Sequence, residues 1–318
     1  MPYDITLRQL KYFVEIAQSR SFSRAAERLR VAQPALSQNI SSLEDSLGAK
    51  LFERHARGVE LLPPGQRLLA SAIDILARTD ALKDEIDGRA SLPTGNVRLS
   101  IAGSIAGAVI GPLLGAVACD YPGIEVTVRE SMSFESRALV ESGQAHLALM
   151  PSPSEIQGMA SMPLYEERFL LYGTRAAMRR KPETMTFAEV AELPLAAPDG
   201  AHDLRKIIER AANAIGRSLD VRYELNSPQM LIALARDGLA YVVMPPSACL
   251  EAVAAKSIAG RPVMEPELTR IQALVWPEDR PLSPAAAAIR DLIARIVGGL
   301  VESGALPGRK VGATYKKK

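Results

Sequence analysis

Gln33, Pro34, Ser37, Gln38 and Ser41 fall where their chemistry could read a nucleic acid. They lie at and just after the start of a helical stretch, residues 33–47. At about 100° per residue, Pro34, Ser37, Gln38, Ser41 and Ser42 share the face opposite Leu36, Ile40, Leu43 and Leu47. A glutamine amide can pair with both major-groove groups of adenine, and short hydroxyls reach base edges and phosphates. Gln38 is the strongest candidate for a base contact. Arg54 and Arg57 flank the tip Arg-His-Ala-Arg-Gly, whose charge suits phosphates or the minor groove. The partner this chemistry implies is double-stranded DNA.

Such residues need a scaffold that holds the helix rigidly. Thr6 with Gln9 three residues on forms a capping box, and Ile5 and Leu10 occupy the staple positions around it. Leu7, Leu10, Phe13, Val14 and Ala17 then recur on one face. Ser23 is expected to cap a second helix that turns Ala25, Ala26 and Leu29 inward, and Val31-Ala32 is the turn. Pro34 sits in the first turn of the third helix, where a missing N–H costs nothing, and Gly48 ends it. Glu44 and Asp45 are expected at the helix end away from DNA. Leu51, Phe52, Val59, Leu61 and Leu62 bracket the arginine tip as a hairpin. Three helices and a wing predict an all-α winged helix-turn-helix.

Phe22-Ser23-Arg24-Ala25-Ala26, Leu29, Val31 to Ser37, Ile40, Leu43-Glu44, Leu47-Gly48 and Leu51-Phe52-Glu53-Arg54 resemble the DNA-binding domain of LysR-type transcriptional regulators. The resemblance implies that Gln33, Pro34, Ser37 and Gln38 face DNA and that Arg54 contacts the backbone or minor groove. Glutamine at position 38, where many members carry arginine, implies a different base preference. Pro63-Pro64-Gly65 departs from the family's usual Thr-x-x-Gly.

After Pro64, the residues Leu68, Ala72, Ile75, Thr79, Leu82 and Ile86 alternate steps of four and three. That spacing is a two-helix seam, so the stretch is expected to dimerise; the plain alternative is a linker helix packed on its own domain. The resemblance implies the same linker-helix dimer, and a pairing of dimers into a homotetramer. Residues 91–95, Ser-Leu-Pro-Thr-Gly, form a turn-rich boundary.

From Asn96 strands and helices alternate. Strands are predicted over 97–101, 124–129, 145–150, 169–172, 193–197, 221–225, 239–244 and 268–276, and helices over 103–118, 134–142, 203–214, 228–237 and 283–301. This pattern predicts an α/β region with a parallel sheet covered on both faces. It resembles the two-lobed periplasmic-binding-protein-like effector domain of the family. Ligands of open α/β sheets sit beyond the carboxyl ends of strands. Gly103-Ser104, Ser131-Met132-Ser133 and the loop ending at His202 lie at such junctions. Gly103, Ser104, Ser131, Ser133 and His202 are therefore the candidates for binding a small organic anion, for which a carboxylate suits the helix starts. The plain alternatives are ordinary N-caps for the serines and a surface loop for His202.

The expected organisation is thus residues 1–62 as the DNA-binding domain, 63–90 as the linker helix, 91–303 as the effector domain and 304–318 as a flexible tail. Lobe I is expected over 91–163 and 267–303, and lobe II over 164–266. The tail's three final lysines suit a solvated end, or a weak salt-sensitive attraction to DNA. With 38 basic and 36 acidic residues the net charge is only +2, so DNA affinity must come from local placement. No signal peptide or membrane span is expected, which places the chain in the cytoplasm. Cys119 and Cys249 read as free core thiols. No metal site, cofactor or catalytic residue is expected: no nucleophile elbow, Walker loop or His-Glu-x-x-His motif is present, and His55, His146 and His202 lie far apart. A thiol-based redox-sensing regulator and a non-enzymatic small-molecule-binding protein are the alternatives. The family further implies RNA polymerase as a partner.

Overall fold

Thr6 begins the first helix, α1 (Leu7–Ser19), with its hydroxyl accepting from the Gln9 N–H while the Gln9 side chain returns to the Thr6 N–H. This capping box is worth about 1 kcal/mol. It also buries Gln9, whereas Leu7 stays 45% exposed and is not part of the apolar face expected of it. The computed structural model describes residues 5–55, 58–86, 92–151 and 158–311.

The second helix, α2 (Phe22–Leu29), is capped by Ser21 and not by Ser23. Arg20 takes a left-handed conformation that closes α1, and this leaves Ser21 extended in the capping position. The third, α3 (Gln33–Leu47), ends at Gly48. A hairpin follows, β1 (Phe52–His55) antiparallel to β2 (Gly58–Leu61). Phe13, Ile16, Leu36, Ile40, Leu43 and Leu51 are fully buried among these elements. Ala25 and Ala26 let α2 lie close.

The long helix α4 (Pro63–Ile86) packs on this domain. Gly65 makes that possible, because a side chain there would collide with the Leu51 carbonyl oxygen. Ala72 is buried and Leu68 half-buried in the same core, so the first part of the expected seam serves its own domain. Ile75 is 42% exposed. The side chains of Leu82 and Ile86 lie outside the described ones.

The second compact unit begins at Asn96. Its first lobe opens with β3 (Gly95–Ile101), α5 (Gly103–Asp120), β4 (Ile124–Glu130), α6 (Ser133–Glu141) and β5 (Leu147–Pro151), and continues into β6 (Met159–Arg168). The chain then passes into the second lobe through β7 (Leu170–Thr174), α7 (Arg175–Arg179), β8 (Met185–Thr186), α8 (Phe187–Ala191) and β9 (Leu195–Ala197). It continues through α9 (Asp203–Ala214), β10 (Val221–Glu224), α10 (Pro228–Arg236), β11 (Val242–Met244), α11 (Pro246–Ala254) and β12 (Ile258–Met264). It returns through β13 (Thr269–Pro277), α12 (Pro284–Glu302) and β14 (Arg309–Lys310).

The first lobe is a six-stranded sheet in the order β14-β6-β13-β5-β3-β4. Alternation along β5 explains its layers: Leu147 and Leu149 face α5 and α12, whereas Ala148 and Met150 face the opposite layer with Val140 of α6. The sheet is mixed, not parallel throughout. β3 and β5 are parallel, but β13 runs antiparallel to both β5 and β6, because it re-enters from the other lobe. The second lobe holds a four-stranded sheet, β11-β7-β12-β8, and the parallel pair β10-β9.

Two boundaries differ from expectation. β6 stays in the first sheet up to Arg168, so the outward crossing falls at Phe169 and not at 164. Residues 304–311 are not a flexible tail: Leu306 is fully buried and β14 pairs with β6. The terminal lysines lie outside the described residues. Cys249 is buried as expected, but Cys119 is exposed. The inward stripe of α5 is Ile105, Val109, Leu113 and Val117, and Cys119 lies about 200° round from Val117. Among the described residues, α5 is the one helix long and apolar enough to cross a membrane, and that stripe is packed into the sheet's core.

Candidate functional site

On α3, Gln33, Pro34, Gln38 and Ser41 are exposed and Ser37 is half-buried, so the predicted reading face is open to solvent. The Ser23 hydroxyl, freed from capping, donates to Gln33 Oε1 at 3.0 Å. This fixes the Gln33 amide so that its N–H2 group is what it can turn outward. Arg54 projects from β1 with its guanidinium 4.0 Å from the Phe22 ring centre. Phe22 packs edge-on against Phe52, which in turn packs on Phe13. The wing arginine is therefore aimed by an aromatic stack tied to the core. Arg57 lies outside the described residues.

Glu44, at the helix end away from the reading face, has a structural task that its position alone did not reveal. It is 8% exposed and accepts from the Leu51 and Phe52 N–H groups at 2.8 and 3.4 Å, with Lys50 Nζ at 2.8 Å. Burial pushes its carboxyl pKa up, but the bonds from Lys50, Leu51 and Phe52 outweigh that and hold it below its ordinary value. Glu44 thus clamps α3 to the start of the wing. Sequence spacing alone did not separate it from Asp45, which stays exposed.

In the second unit, Gly103, Ser104, Ser131, Ser133 and His202 all line one cleft of about 230 Å³. Pro198, Leu204, Asn226, Leu231 and Met244 are among the residues of its second-lobe wall. None of the three serines is a plain N-cap with a side-chain cap bond. Ala102 is the N-cap of α5, and Ser104 instead accepts from Arg270 Nη2 at 2.7 Å. Ser131 is 7% exposed, and among the described residues its hydroxyl has no partner. Ser133 is equally buried at the first position of α6. His202 is not a surface loop residue: it caps α9, its Nδ1 accepting from the Leu204 N–H at 3.1 Å. Burial lowers its pKa, with Arg270 acting in the same direction against Asp203 and Asp199. The imidazole is therefore neutral near pH 7 and offers Nε2–H as a donor.

Arg270 is the main residue that spacing did not single out. It rises from β13, 8% exposed, with Nε donating to Glu167 Oε1 at 2.8 Å and the guanidinium 5.5 Å from the Phe169 ring centre. Glu167 is fully buried and also accepts from Gln272 Nε2 at 3.2 Å. The signal was present in the sequence: Arg270 and Gln272 interrupt an otherwise apolar strand, Ile-Gln-Ala-Leu-Val-Trp. Asn226 was likewise missed as a site residue. It exchanges two bonds with Asp199, at 3.0 and 2.7 Å, which fixes the loop leading to His202.

The chain's first part matches the profile of the bacterial regulatory helix-turn-helix proteins of the lysR family over residues 7–66. The LysR substrate binding domain profile matches residues 90–297. The HTH-type transcriptional regulator BbuR of Bordetella bronchiseptica is 29% identical over 310 residues, covering 96% of this chain and 94% of that protein. A hydrogen-peroxide-bound mutant of Corynebacterium glutamicum OxyR is 26% identical, with a TM-score of 0.59, over 96% of this chain and 99% of that one. CbnR, solved in complex with its target DNA, shares the fold at 22% identity and a TM-score of 0.54, over 92% of this chain and all of that one.

Proposed function

The chain belongs to the LysR family of DNA-binding transcriptional regulators, and we propose that a small organic carboxylate in the cleft of its second unit gates that binding. The observation that carries this reading is the convergence of Ser104, Ser131 and His202 on one cavity beside the buried Arg270. A carboxylate there would meet a guanidinium edge, hydroxyls and the uncapped start of α5. Gln33, Pro34, Ser37, Gln38 and Ser41 read the major groove, and Arg54 with Arg57 grips the backbone or minor groove.

The working unit is a homodimer through α4, pairing further into a tetramer. A single short helix with a chain net charge of +2 binds DNA weakly, and two heads at fixed spacing supply the missing affinity. Ligand binding favours one of two assembly arrangements, which changes head spacing, DNA bending and contact with RNA polymerase in the cytoplasm. Cys249 is not suited to thiol redox sensing, because its burial pushes its thiol pKa up to about 12 and keeps it out of the reactive thiolate form. We take residues 1–62 as the DNA-binding domain, 63–90 as the linker helix and about 91–311 as the effector region, and the pairing of β14 with β6 supports the last bound.

Thermal melting of the full chain against a broad panel of small carboxylates, α-amino acids among them, tests the cleft. A saturable stabilisation of the wild type that S131A weakens, coupled to a changed footprint on promoter DNA, supports it. No stabilising carboxylate, or equal stabilisation of S131A, refutes it.

A further inference from the structure

The charges around the cleft do not balance for a simple anion. Its lining carries two carboxylates, Glu130 and Glu135, against one guanidinium, Arg270. Arg270 is already paired with Glu167 behind it, and His202 is neutral. Glu135 is partly answered by the Met132 N–H, which it accepts at 3.2 Å. Among the described residues, no hydrogen bond or ion pair ties down the Glu130 carboxylate, which lies over Gly103; any side chain at that position would collide with its Oε1. An acidic side chain thus overhangs the uncapped start of α5, beside the unpartnered buried hydroxyl of Ser131.

We infer that the effector is a small zwitterion, an α-amino carboxylate with a short apolar side chain. This rests on the cleft being the effector seat. Its carboxylate takes Ser131, Ser104 and the open edge of Arg270 at the start of α5. Its ammonium takes Glu130. The two seats adjoin, so the ligand's opposite charges must lie within one or two bonds of a common carbon. Leu204, Leu231 and Met244 face the same cavity from the other lobe and suit an apolar side chain. The cavity, of about 230 Å³, has room for a molecule of this size. A purely anionic ligand would meet Glu130 as a like charge with no counter-ion.

The test uses the full chain and calorimetry with alanine, valine, leucine, isoleucine and methionine. Each is run beside its des-amino acid and its decarboxylated amine. At least one amino acid should bind about tenfold more tightly than both counterparts, as expected of a charged hydrogen bond gained at each end. In E130Q the preference over the des-amino acid should fall to within about threefold. Equal or better binding of the des-amino acids, binding of the amines alone, or an unchanged preference in E130Q overturns the inference. So does the absence of binding in all three sets. The effector-seat reading is judged separately, by the response of S131A to the broad carboxylate panel.

Discussion

Replacing Arg270 by alanine should be the most damaging single change in the cleft, and the structure sets its size. The substitution strips Glu167 of its ion pair while Glu167 remains fully buried. One oxygen of Glu167 already has no partner among the described residues, and the other would keep only Gln272 Nε2 at 3.2 Å. Removing one partner of a buried pair costs about 3–5 kcal/mol. For a unit of this size each kcal/mol lowers the melting temperature by roughly 2–4 °C, so the effector unit should melt roughly 6–20 °C lower. The double variant E167L/R270M removes both charges and keeps apolar volume, and should recover most of that loss. Scanning calorimetry of the wild type, R270A and the double variant decides the matter. An R270A transition within about 2 °C of the wild type would refute the reasoning. A double variant no better than R270A would do the same.

Three further outcomes follow from the same geometry. Glu44→Ala should cost about 1–3 kcal/mol by leaving the Leu51 N–H without its acceptor, and should weaken binding to every DNA sequence, read by melting and filter binding. The His202 pKa lies below the 6.5 of an unfolded chain, so unfolding takes up a proton as pH falls below that value. The stability this confers is present above about 6.5 and lost as pH drops through the folded value; His202→Asn keeps a capping side chain and should flatten the slope between pH 7 and 5 in melting scans. Arg54→Ala should weaken binding to all duplexes and reduce its salt dependence by about one ion, measured by titration at several salt concentrations.

Periodicity and capping made the first unit legible: Thr6 with Gln9, Pro34 and Gly48 mark helix limits by local chemistry. Ser23 misled because two serines two residues apart both suit a cap, and only the left-handed Arg20 chooses between them. In the second unit, the rule that ligands meet strand ends singled out Ser104, Ser131, Ser133 and His202, and these line one cleft. Arg270 and Glu167 stayed hidden, because their pairing spans 103 residues and depends on β13 returning antiparallel beside β6. The clamping role of Glu44 was not legible because its partners at Leu51 and Phe52 are backbone groups with no sequence mark. Residues 304–311 looked like a tail because β14 has only two residues, too few for any strand pattern.

The central claim is that the exposed face of α3 reads bases while the wing grips the duplex. Selection of binding sites from random duplexes with the wild type, Q38A and R54A measures it directly. The wild type should enrich two related half-sites about one helical turn, or a multiple of it, apart. Q38A should lose preference at one position in each half-site, and R54A should keep the motif at lower affinity. No enriched motif, or an unchanged motif in Q38A with a changed one in R54A, would contradict the account.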